Sequence, residues 1–194
     1  MSSRATTDID ICSRALILIG AEPITSFSDD SNEALIASNM YEDMARAMLT
    51  STRWRFATNQ AVLNRLSAAP TGRYDAAYQL PSDWLLTHVV TENDSPIEYQ
   101  TYGKKLFCDA ASTSTLVLDY TFRPDEADWP SYFIVALEYE LASMFAASLA
   151  RDNQLAQLMD SQARLKIVAA RNIDAQQQTT RKLTTNRFIV NRRT

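Results

Sequence analysis

One histidine, two isolated cysteines and paired carboxylates such as Asp29/Asp30 and Asp125/Glu126 are the residues from which a reaction centre would have to be built in this chain. Acyl transfer through a serine or a thiol needs a base held against the nucleophile, so any such device must use His88. His88 lies within Leu85-Leu86-Thr87-His88-Val89-Val90, a run of strand residues that places it on a sheet surface rather than in the role of a base. Cys12 and Cys108 have no C-x-x-C spacing and no neighbouring histidine. Neither a zinc site nor a disulfide framework is expected, and a reducing cytosol fits. Asp29/Asp30 and Asp125/Glu126 have the composition of a glycosidase pair. Both sit just ahead of predicted helices, where capping and helix-dipole charge explain them more simply. Only three glycines occur in 194 residues, with no G-x-G-x-x-G and no P-loop spacing, so a glycine-rich phosphate cradle is excluded. The expectation is a chain that is not an enzyme, with no cofactor and no metal.

Charge is placed unevenly. From Arg171 onward six cations (Arg171, Arg181, Lys182, Arg187, Arg192, Arg193) face one anion, Asp174, a net of +5; the whole chain is −4, so residues 1–170 carry −9. A basic terminus is commonly a solvated one. Here the apolar triplet Phe188-Ile189-Val190 stands between Arg187 and Arg192, which a purely solvating tail does not require. Apolar anchors with steering cations suit a tail that docks in a partner's groove. A nucleic-acid-binding module using this tail is the alternative, but it calls for aromatics interleaved with cations, and only Phe188 lies among these.

The elements that position these residues are legible from periodicity. Thr6 and Thr7 can cap a first helix through Ile9, Cys12, Leu16 and Ile19. Gly20 falls just past its end, where a left-handed residue is common, and Pro23 forbids re-entry. Ile24 and Phe27 are apolar residues in a polar loop and are expected to fold back onto that helix. Asp30 and Glu33 have capping-box spacing ahead of a second helix through Ala37, Met40, Tyr41, Met44 and Met48. These methionines read as core filler. Trp54 and Phe56 follow; two residues apart on an extended segment, both rings would be buried and Arg53 and Arg55 left free to meet an acidic neighbouring subunit.

From about Ala57 to Arg123 the helical period is lost. Short strands are read at Ala61–Leu63, Leu85–Thr91, Ile97–Thr101, Leu106–Cys108 and Leu116–Phe122, with turns at Asn93-Asp94-Ser95-Pro96 and Tyr102-Gly103-Lys104-Lys105. Asp128 is read as the cap of a third helix through Phe133, Leu137, Leu141 and Phe145, and a fourth runs through Leu155, Leu158, Leu165 and Val168. No uninterrupted apolar run approaches the 18 residues of a membrane span, and Met1–Asp10 has no signal-peptide core. The expected fold is α+β, mainly α: a four-helix bundle from 1–56 and 124–178, one small antiparallel sheet inserted at 57–123 between helices 2 and 3, and a basic docking tail at 179–194.

The ordered set Ile19-Gly20-x-x-Pro23-Ile24-Thr25-Ser26-Phe27, Asn32-x-Ala34, Trp54-x-Phe56 and Tyr78-Gln79-Leu80-Pro81-Ser82-Asp83-Trp84-Leu85 resembles the head-to-tail adaptor (connector) family of tailed bacteriophages, whose best-known members are tail tubular protein A. The resemblance spans nearly the whole chain. It implies a virion structural protein in the neck, assembled in the host cytoplasm as a ring of twelve below the portal protein. Such a ring extends the DNA channel and carries the tail nozzle or tube, and no membrane is involved. It also implies that the C-terminal tail (Arg181, Lys182, Arg187, Phe188, Ile189, Val190, Arg192, Arg193) docks onto the portal. DNA must slide through such a channel without specific binding, and an acidic body avoids salt-sensitive phosphate affinity.

Overall fold

The computed structural model describes residues 5–67 and 72–177. Helix α1 (Asp8–Leu18) starts where the Thr7 side chain accepts the Asp10 N–H. It ends as the sequence predicts: Gly20 is left-handed at φ 76°, its N–H bonds the Ile17 carbonyl and that of Ala21 bonds Leu16, both at 3.1 Å. This pair of bonds satisfies carbonyls that the helix end would leave open. Helix α2 (Asn32–Thr50) is capped by Ser31, whose hydroxyl accepts the Ala34 N–H, not by Asp30. Gly20→Val should cost about 1–3 kcal/mol, because a β-branched residue is strained at positive φ. No atom would crowd the added Cβ, so the loss measured by thermal or denaturant unfolding isolates backbone strain. A variant as stable as the parent would contradict the left-handed assignment.

Eight strands follow: β1 (Thr58–Val62), β2 (Asn64–Arg65), β3 (Ala76–Gln79), β4 (Trp84–Glu92), β5 (Ser95–Pro96), β6 (Gln100–Tyr102), β7 (Lys105–Cys108) and β8 (Leu116–Phe122). They form two antiparallel four-stranded sheets, ordered β1-β8-β4-β5 and β2-β3-β7-β6. A helical bundle with one small inserted sheet is therefore incorrect; the fold is α+β with two sheets. Leu63 alone separates β1 from β2, so the chain passes from one sheet to the other within a single residue. The sheets close on a core of their own, with Tyr78, Leu106 and Cys108 from one and Val90, Leu116, Leu118 and Tyr120 from the other. Two faces burying each other give each sheet the support that a lone small sheet lacks. The turns are local and fall where expected: Asn93 and Asp94 are left-handed at φ 49° and 63° between Glu92 and its partner Ser95. Gly103, at φ 60°, opens the two-residue loop between β6 and β7.

A short 3-10 turn (Glu126–Asp128) leads into α3 (Ser131–Phe145), which begins after Pro130 without a side-chain cap. Asp128 belongs to that turn and does not cap the helix. α3 continues as one π-helical turn (Ala146–Ala150), and Arg151, left-handed at φ 50°, reverses the chain into α4 (Asn153–Gln176), capped by Asp152. The stretch Ser131–Ala150, with mean hydropathy 1.5, is apolar and long enough by composition to cross a membrane, although Glu138 and Glu140 interrupt its apolar run. More than half of it is buried inside the fold, as expected for the central helix of a globular unit. The helical core gathers Ile11, Leu16, Leu49, Trp54, Trp129, Phe133, Leu137 and Phe145.

Candidate functional site

The residues singled out from sequence converge on two structural junctions. At the first, Gly20 turns the chain, Pro23 lies exposed, and Ile24 folds back, buried, with its carbonyl accepting the Ser13 hydroxyl at 2.7 Å. Phe27 is partly buried against the core, 6.3 Å from the Tyr41 ring. Asp29 accepts the backbone N–H groups of Thr25 and Ser26 at 2.8 and 3.0 Å, and these bonds hold its carboxyl below the usual range. It shapes the loop rather than capping the helix.

At the second junction Trp54 is fully buried and its indole N–H donates to the Met48 carbonyl at 2.8 Å. Trp54, Phe56 and Trp129 surround Phe133 with centroid separations of 5.2, 4.9 and 5.0 Å, all edge-to-face. The aromatic pair thus meets α3 from a turn, with the Trp54 N–H bonded to the Thr52 carbonyl, and not from an extended strand. Arg53 and Arg55 are exposed, but Arg53 is not free for a neighbour: it pairs with Asp119 of its own chain at 3.2 Å. The Arg55 N–H bonds Asp174 at 3.0 Å.

Asp174 is a junction residue that sequence reasoning missed. Counted there as the lone anion of a basic terminus, it is buried, and its second oxygen accepts the Tyr132 hydroxyl at 2.8 Å. Burial and this bond to Asp174 push the Tyr132 hydroxyl well above its ordinary range. Asp174 therefore ties α4 to α3 and to the turn after α2. Arg123 is the other missed residue. It lies over the Trp129 ring at 4.8 Å, pairs with Glu42 at 3.0 Å and with Glu126, and bonds the Pro124 carbonyl. The Tyr41 hydroxyl completes the set by donating to Glu126 at 2.9 Å. Of the carboxylate pairs considered for catalysis, Asp125/Glu126 is thus built into the hinge between sheet and helices. Arg123 continues the alternation of β8 on the face of Val117, Asp119 and Thr121, which gives its side of the strand but not these partners.

His88 occupies a β-bulge, the extra residue between Thr87, which pairs with Tyr120, and Val89, which pairs with Asp119. Its Nε2 meets the Thr121 hydroxyl at 2.8 Å. Thr121 is fully buried, and the Asp119 oxygens are taken by Arg53 and Gln60. The histidine, held below its ordinary pKa by burial and by Arg53, therefore faces a hydroxyl that no substrate reaches. Burial pushes the Cys12 thiol up to about 12 and the Cys108 thiol to about 11, far from thiolate reactivity. Glu138 carries the most perturbed carboxyl, raised by burial to about 7 although Arg14 lies 3.7 Å away. It sits between α1 and α3 as a packed charge. No group of three or more potential metal ligands occurs among the described residues.

Arg181, Lys182, Arg187, Phe188, Ile189, Val190, Arg192 and Arg193 lie outside the described residues, as does most of the stretch from about Gln176 expected to order only on assembly. Helix α4 itself runs to Gln176. No protein-family model and no curated protein matches the chain.

Proposed function

We propose that this chain is a head-to-tail adaptor of a tailed bacteriophage: a virion structural protein that forms a ring of twelve beneath the portal, extends the DNA channel and carries the tail nozzle or tube. One observation carries the reading. Two of the sequence segments that resemble the adaptor family make rigid junctions, with Gly20 and Ile24 at the joint between α1 and α2 and Trp54 and Phe56 packed on α3. A subunit that transmits force between two machines requires fixed angles between its parts, and reactive groups are not part of that task. The acidic body, −9 over residues 1–170 against −4 for the chain, favours DNA passage without retention.

In this reading the basic, apolar-centred terminus anchors the ring to the portal. A chain ending at Thr180 should melt within a few degrees of the parent, because the cores it leaves behind are complete. It should fail to co-sediment with portal rings that retain the full-length chain. Normal co-sedimentation of the truncated chain would remove the docking role from the tail.

A further inference from the structure

We propose that the outward face of α4 in one subunit seats on the α1–α2 joint of a second copy of the chain. The pairing names the contact faces of the ring proposed above, and in that respect rests on that reading. Its test separates the pairing from the ring.

α4 carries two apolar stripes, where a helix on the surface of a globular unit ordinarily has one. The inner stripe, Ala163, Ile167 and Ala170, packs into the fold. The outer stripe leaves Leu158, Leu165, Val168 and Ile173 exposed at 52, 63, 56 and 45%. Leu158, Leu165 and Val168 share one side of α4 by helical position, with Ile173 at its edge, a surface made to be covered. By helical position Arg164 and Arg171 border this stripe on one edge and Lys166 on the other, while Asp174 turns inward and is buried. The one outward acid near it, Asp160, is paired to Arg164 at 3.0 Å. Two such faces set against each other would oppose like charges, so the partner surface must be apolar and acidic.

The joint has that composition. Residues 27–33 and Leu35 line an open depression of about 510 Å³ with Phe27 and Leu35 as its large apolar residues. Leu35 is 61% exposed. Asp29, Asp30 and Glu33 line the same depression, and no lysine or arginine does. Helices α1 and α4 also pack on different sides of α3. Glu138 of α3 faces Arg14 of α1, whereas Tyr132 and Tyr139 on the other side of α3 face Asp174 and Lys166 of α4. A contact between two unlike faces of a subunit is heterologous and repeats from copy to copy, as a ring requires.

The test uses the full-length chain and sedimentation velocity. Leu165→Asp/Val168→Asp removes the α4 face and Leu35→Asp the joint; all three positions are exposed, and thermal melts check that the variants fold. If either aspartate variant fails to fold, Leu165→Ser and Leu35→Ser replace them. The parent should self-associate in a salt-sensitive way and each variant should be monomeric. Mixed one to one, the variants should form a discrete dimer and nothing larger, because only one intact joint and one intact α4 face remain to meet. A parent chain that stays monomeric into the millimolar range overturns the pairing. So does continued self-association of Leu35→Asp, which would mean that α4 pairs with itself. Loss of association on truncation after Thr180, with the α4 variant unaffected, would assign the depression to the tail and also overturn it. Parent oligomers that use both faces but are open filaments would keep the pairing and reject the closed ring.

Discussion

Trp54→Ala is expected to destabilise the subunit by about 3–5 kcal/mol, at the upper end for large-to-small core changes. The side chain is fully buried, so its removal opens a cavity between α2, α3 and the start of β1. Three other effects add to the cavity. The Met48 carbonyl near the end of α2 loses the indole N–H and keeps only its bonds from the Ser51 N–H and hydroxyl. Phe133 loses one of its three edge-to-face neighbours. Phe56, 6.2 Å from the Trp54 ring, loses support on one side. Denaturant unfolding of the monomer measures the total. A melt like the parent's would mean that the ring does not pin the helices, and the junction would have to be rebuilt from Phe56 and Trp129.

Arg123→Met should cost about 2–4 kcal/mol, below the full value of breaking a buried ion pair because Glu42 is half-exposed. Methionine keeps an apolar stem of similar length but removes the guanidinium that lies over Trp129 and joins Glu42 of α2 to Glu126 ahead of α3. The pH dependence gives a second signature. Burial raises the Glu42 carboxyl, but its bonds to Arg123 and Arg46 outweigh this and leave it below its ordinary 4.5. A carboxyl lowered in the folded state contributes stability above about pH 4.5 that is lost as pH falls through its folded value. The parent should therefore lose stability on acidification below that point more steeply than Arg123→Met. Equal acid profiles would place the stabilisation in the packing of the stem rather than in the charge.

The local devices of this fold were legible because their causes lie within a few residues of one another. Thr7, Gly20, Asn93-Asp94 and Gly103 each determine a cap or a reversal by their own backbone and side-chain chemistry, and the structure uses each where it was read. Of the second sheet, the β6–β7 hairpin was legible and the β2–β3 half was not. β2 is two residues long, and β3 reads Ala76-Ala77-Tyr78-Gln79 with its first three residues all buried, so neither shows the alternation that marks a half-buried strand. Their partners lie far along the chain: Ala76 pairs with Cys108 and Asn64 with Gln79. Sheet membership was decided by those pairings, not by the strand residues.

The junctions were legible in part for the same reason. Trp54 and Phe56 announced burial by type, whereas Arg53, Arg123 and Asp174 each have a partner 66, 81 and 119 residues away in sequence, respectively. A charge read as exposed from its local surroundings can be satisfied only by the fold. The bulge at His88 was hidden for a related reason, since the skipped register exists only against β8.

The central claim is that this chain assembles as a portal-bound ring. Negative-stain electron microscopy of the purified protein, alone and mixed with a candidate phage portal protein, tests it most directly. The adaptor account predicts rings of twelve subunits seated coaxially on one face of the portal, with a continuous central channel. Portal particles that keep their original outline in the presence of excess protein would contradict it.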